Sequence, residues 1–247
     1  MRRRPPEAAD VHGAVIRAEG AQGYPVKSRT VHRASCALVM ISIPTSGAPA
    51  ALPEAPSPFV GDITRWLARA VIGLNLCPFA KGVHVKGQIH YAVALTEDVD
   101  EVLGLLRAEL SALATMPASV RDTTLLILPH CLRDFLDFND FLGRAEALLE
   151  EMALDGTLQI ASFHPQFQFA GTDVDDVTNC TNRSPYPTLH LLREESIDRA
   201  VEVFPEAETI FERNIEVLQA LGMPGWSALD VGPGTAQSSP AVAHKDL

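Results

Sequence analysis

The chain has 247 residues, 47% of them hydrophobic, enough to bury a sizeable core in one large domain or two small ones. No apolar run approaches the roughly 20 residues that cross a bilayer; residues 34–43 come nearest and contain Ser35 and Cys36, so an integral membrane protein is excluded. The net charge is −11, unevenly spread: residues 1–39 hold seven Lys or Arg against three Asp or Glu, which leaves −15 on the rest.

An acidic body repels phosphate backbones, so no nucleic-acid partner is expected, though a local basic spot can still hold a small anion. Cys36, Cys77, Cys131 and Cys180 are widely spaced and form no CxxC pair. This is neither a disulfide framework nor a finger-type zinc signature, and it fits free thiols in a reducing, cytoplasmic compartment.

Residues 1–60 show no helical or strand period and include a Pro/Ala/Ser-rich stretch at 45–58, which reads as linker. They are expected to be disordered, or a mis-annotated extension ahead of a start at Met40. The Arg-rich beginning suggests targeting, but Glu7, Asp10 and Glu19 argue against a transit peptide. A single domain is expected over 61–225, followed by a disordered tail over 226–247.

Within that domain Asp62 is a good N-cap for a helix carrying Ile63, Trp66, Leu67, Ala70, Val71 and Leu74, which Gly73 and Pro78 stop. Residues 89–95 form a strand. The acidic turn 97–101 starts a second helix, with Val99, Val102, Leu103, Leu106, Leu110 and Leu113 as its stripe. Residues 123–128 make a buried strand closed by Pro129. A third helix carries Phe138, Phe141, Leu142, Ala145, Leu148, Leu149 and Met152 and ends at Gly156. A third strand covers 158–163.

About 25 residues without period follow, long for a connection in a compact domain. Gln166 and Gln168 alternate with Phe167 and Phe169, as in an edge strand. Helices are expected again near Leu189 and from Pro205, the last burying Ile210, Phe211, Val217, Leu218 and Leu221 before Gly222 and Pro224. The order predicts an α/β fold: a small two-layer or three-layer sandwich, with a mainly parallel sheet of three or more strands and flanking helices.

In such a sheet ligands bind beyond the carboxyl ends of the strands. Parallel strands would put His130, Cys131 and His164 on one edge, where the polar run 163–195 leaves. On the expected helix after it, His190, Arg193 and Glu194 share a face. Asn182, Arg183, Ser184, Tyr186, Arg193 and His130 are candidate substrate-binding residues, with Arg183 and Arg193 gripping a carboxylate or phosphate. His164 and His190 are the candidate proton carriers. The competing reading is that these groups satisfy the loop's own backbone.

Cys77 precedes Pro78, where a new helical turn could start; a helix N-terminus and Lys81 would lower its pKa and make it a nucleophile. The bland alternative is a buried structural thiol. Cys77, Cys131, His130 and His164 have atoms suited to zinc, and Asp173, Asp175 and Asp176 to magnesium, but no spacing matches a metal motif, and no metal or other cofactor is assigned. Asn179 and Asn182 head glycosylation sequons, which carry little without a secretion signal. There is no GxGxxG, Walker loop, GxSxG or HExxH.

The words LNLCPFAKG (74–82), VKGQIHY (85–91), FHPQFQFAGTD (163–173) and NRSPYPTLHLLREESI (182–197) resemble a bacterial family known as domain of unknown function 1415. The resemblance spans roughly residues 62–221. It implies a core without the first sixty residues and no established activity; its recurring words fall on Cys77, His164, Arg183, Tyr186, His190 and Arg193. The leading expectation is a cytoplasmic enzyme acting on a small anionic substrate through the loop and a reactive thiol at Cys77; the alternative is a non-catalytic ligand- or protein-binding domain using the same loop. Oligomeric state is left open.

Overall fold

The computed structural model describes residues 57–203 and 209–234. Residues 1–56, Pro205 and the chain from 235 onward, with the expectations that fall on them, lie outside these. Helix α1 (Pro58–Trp66) runs on into a π-helical turn, Leu67–Ile72. Pro58 occupies the first turn, where a missing N–H costs nothing. The helix therefore begins ahead of Asp62, which is not its cap. Asp62 lies inside the helix with its side chain turned inward, 7% exposed.

A short helix α2 (Ala80–Val85) leads into β1 (Ile89–Val93), α3 (Val99–Thr115), β2 (Thr123–Ile127), α4 (Phe135–Glu151) and β3 (Leu158–Phe163). Asp98 caps α3 and Asp134 caps α4, each accepting two first-turn amides on Oδ1. A 3-10 helix (Val177–Asn182) sits within the long connection. Then come β4 (Thr188–Arg193), α5 (Glu194–Val203) and α6 (Ile210–Ala228).

The sheet order is β1-β2-β4-β3. Only β1 and β2 pair in parallel; β4 pairs antiparallel with both β2 and β3. The α/β class holds, but the mainly parallel sheet does not, because residues 188–193 are a strand where a helix was expected. Their spacing was ambiguous over six residues. Pairing with β2 and β3 makes it a strand, in which Leu189 and Leu191 are fully buried while His190 and Leu192 between and beside them are not. Pro185 and Pro187 also bias the approach towards extended backbone. Residues 166–169, by contrast, form no strand.

Helices cover both faces. Val102, Leu106, Leu110 and Leu113 of α3 and Phe138, Phe141 and Ala145 of α4 pack on Leu126, Leu158, Leu189 and Leu191. On the other face Ile63, Trp66, Leu67 and Ala70 pack on Leu125 and Ile127. Helix α6 places Leu218 against Cys180 of the 3-10 helix and Leu76, while Phe211, expected inside, is 45% exposed. It breaks at Gly222 (φ 65°), as Gly222 and Pro224 suggested, but a further helical segment carries it to Ala228.

Residues 226–231, expected to belong to a disordered tail, pack on the domain. Trp226, Leu229 and Val231 pack against the α1 cluster, and Arg65 donates to the Asp230 and Gly232 carbonyls at 2.9 and 2.7 Å. None of the described helices is long and apolar enough to cross a membrane.

Candidate functional site

Because β4 runs against both neighbours, β1, β2 and β3 still point the same way. His130, Cys131 and His164 therefore do share an edge with the long loop, as the strand order required. Their chemistry differs from the expectation. The His164 ring is fully buried between Phe135 and Phe138. Its Nδ1 accepts the Gln166 amide at 3.0 Å, so Nε2 carries the hydrogen and donates to the Leu132 carbonyl at 3.2 Å. Burial pushes its pKa below the usual histidine range. Both ring nitrogens are thus engaged by the backbone. Cys131 is buried as well, with Sγ donating to the Glu97 carbonyl. His130 is exposed, its ring edge-on to Phe59.

The loop consumes its own polar groups. Asn179, fully buried, accepts from the Phe169 amide and the Thr172 hydroxyl and donates to the Asp173 carbonyl. Asp176 caps the 3-10 helix through Thr178. Arg183 donates to the Phe167 and Val174 carbonyls at 3.1 and 2.6 Å. Asn182 donates to the Ser162 carbonyl and Ser184 to the Tyr186 carbonyl. These bonds hold the connection between β3 and β4, where buried backbone must find partners.

The two arginines do not meet. Arg193 ends β4 on the opposite edge, where it donates to the carbonyls of Leu113, Met116 and Arg121. Six extended residues separate it from the loop's end of the strand by about 17 Å. His190, three positions earlier, projects to the other face of the sheet. The Thr123 hydroxyl donates to the Leu191 carbonyl at 2.6 Å, so its oxygen accepts from His190 Nε2–H at 2.7 Å. Burial drives the His190 pKa down to about 4, so the ring is neutral at physiological pH.

Cys77 does precede a helical turn, and the Phe79 and Ala80 amides favour its thiolate. Burial outweighs them and raises the thiol's pKa. It packs half-buried against the α1 cluster, opposite to what a nucleophile needs. Among the described residues no group of three or more His, Cys, Asp or Glu could hold a metal ion.

Two groupings had no sequence signal. The first is centred on Asp62, which accepts the Tyr186 hydroxyl at 2.7 Å and the Gly234 amide at 2.8 Å and pairs with Arg65 at 2.9 Å. Burial alone would raise its pKa, but these partners together hold it below the ordinary carboxylate range. Burial and the neighbouring carboxylate push Tyr186 well above the normal phenol range, so it is a latch and not an acid.

The second is a cleft of about 560 Å³ at the amino edge of β1 and β2. Its walls bring together Phe79 and Lys86 from around α2, Gln88 and Asp122 from the turns before the two strands, and Ser196 and Arg199 from α5. Ser196 donates to Asp122 Oδ1 at 2.7 Å and accepts from Arg199 at 3.0 Å. Arg199 also pairs with Glu195 one turn back. Lys86 has no ion pair among the described residues. Lys86, Gln88 and Ser196 fall inside the recurring words, but charged residues at helix ends read as solvated surface until the fold joins them.

No curated protein and no solved structure matches this chain. A family model described as a protein of unknown function, DUF1415, matches residues 59–228, which takes in α1, the sheet, the loop and all of α6, and on that match the chain belongs to the DUF1415 family.

Proposed function

We propose that this domain binds a small anionic molecule in the cleft between α2 and α5 without transforming it. The observation that carries this is the meeting of Lys86 and Arg199 in one concavity of about 560 Å³, a size within the range of small-molecule sites. The lining carries two cations, Lys86 and Arg199, and one carboxylate, Asp122, with Glu195 beside it as the present partner of Arg199. The Arg199–Glu195 pair is exposed, and such pairs contribute little, so a ligand anion exchanges for Glu195 at small cost.

The engagement of the groups that the sequence offered for catalysis supports the binding reading. His164 is sealed, His190 is neutral and bonded to Thr123, the Cys77 thiol is raised, and Arg183 and Arg193 hold backbone carbonyls. The test is thermal stabilisation by inorganic phosphate, succinate and glutarate, comparing the native chain with the Lys86→Ala/Arg199→Ala variant. Ligand at ten times its Kd adds about 1.4 kcal/mol, or a rise of roughly 3–6 °C for a domain of this size. The double variant should lose that rise. Equal shifts in both proteins, or none in either, would sink the proposal.

A further inference from the structure

The same cleft has a second polarity. Its cations come from the helical side, Lys86 at the end of α2 and Arg199 on α5, whereas its acceptors come from the sheet edge. Gln88 spends its side-chain nitrogen on the Ser119 carbonyl at 3.1 Å, which leaves Oε1 as an acceptor. Asp122 takes the Ser196 hydroxyl on Oδ1, which leaves Oδ2 for another donor. The Asp122 and Thr123 amides both donate to the Gln88 backbone carbonyl, at 2.9 and 3.3 Å, so these two turns are tied together. The acceptors are thereby held on one wall.

A ligand that is only an anion would satisfy Lys86 and Arg199 and leave the Asp122 carboxylate facing it. Like charges at close range penalise that pose, whereas an ammonium on the ligand turns the penalty into attraction. We infer that the ligand is zwitterionic, a carboxylate or phosphate held by Lys86 and Arg199 together with an ammonium or amide donor held by Asp122 and Gln88. Amino acids and amino-bearing phosphate esters are the chemical class that fits. Ser196 is a positioning residue here: its hydroxyl bridges Arg199 and Asp122 and so fixes the distance between the anion and cation subsites.

The inference rests on the cleft being an anion site, and matched probes separate the two statements. Calorimetric titration compares glutamate with glutarate and aspartate with succinate, pairs that differ by one ammonium. Glutamate or aspartate should bind at least about tenfold more tightly than its partner, the worth of one good charged contact. Asp122→Asn should remove that preference, weakening glutamate and aspartate and strengthening glutarate and succinate as the like-charge penalty goes. Ser196→Ala, a milder change, should narrow the preference without abolishing anion binding. Equal or tighter binding of the plain dicarboxylates, or binding of inorganic phosphate with none of the four acids, overturns the zwitterion inference and leaves the anion site standing. Failure of every anion removes both.

Discussion

The Tyr186 hydroxyl donates to Asp62 Oδ2 across 2.7 Å, joining residues 124 positions apart in the chain. The bond pins the end of the long loop to α1, and the Gly234 amide on the same carboxylate oxygen pins the C-terminal segment there too. Tyr186→Phe keeps the ring's edge contact with Phe59 but leaves a buried carboxylate short of a donor. The expected loss is about 1–3 kcal/mol, read by urea denaturation. An unchanged midpoint would mean that the latch contributes nothing.

The same carboxylate sets an acid limit. Asp62 titrates lower in the folded chain than in the unfolded one, so its contribution is complete above the unfolded value near pH 4 and is lost as pH falls through the folded value. Tyr186→Phe weakens the depression, and its acid unfolding, followed by circular dichroism, should therefore begin at higher pH than in the native chain. Coincident acid transitions would contradict this.

His190 acts at milder pH. Its folded pKa near 4 lies below the unfolded value of 6.5, so between them the unfolded chain binds the proton that the folded chain refuses. Stability then rises from pH 4 to 6.5, by at most about 3 kcal/mol from this group. His190→Gln keeps a donor for Thr123 and cannot titrate, so its stability should climb less over that window. His164, shifted the same way by burial, supplies the slope that persists. A slope unchanged by the substitution would show that His190 takes up its proton in the folded chain.

Much of the architecture was legible because long amphipathic helices declare themselves. The α3 stripe of Val102, Leu106, Leu110 and Leu113 is fully buried, and the shared edge of His130 and His164 followed from strand direction alone. The sheet's handed mixture did not follow. Residues 188–193 carry apolar positions compatible with either period, and only tertiary pairing with β2 and β3 selects the strand. That one element sends Arg193 to the far edge and α5 to the wall of the cleft. Polar density in the loop was a true signal of a demanding fold, since Asn179 and Arg183 hold its backbone. The same groups are the ones whose polarity suggested a ligand site.

Cys77 should behave as an ordinary or sluggish thiol. Iodoacetamide labelling of the folded chain, followed at this residue by mass spectrometry from pH 6 to 10, should rise only above the normal thiol pKa of about 8.5. Rapid labelling at pH 7 would restore the nucleophile reading.

Arg193 should matter to folding and not to ligands. Arg193→Ala strips three carbonyls of a charged donor and should cost about 2 kcal/mol or more. Lysine should restore part of the loss, because all three bonds leave a single nitrogen, Nη2, and an ammonium also carries three donors. Titration calorimetry with glutarate on the folded fraction should give the native Kd; a tenfold weaker Kd would place Arg193 in the site after all.

Backbone amide chemical shifts during titration with inorganic phosphate and glutamate decide most directly between the cleft and the loop. Perturbations should concentrate at residues 79–88, 118–122 and 196–200, with residues 163–187 unmoved. Shifts centred on Arg183, Ser184 and Tyr186 instead, with Lys86 and Arg199 silent, would contradict the assignment of binding to the amino edge of the sheet.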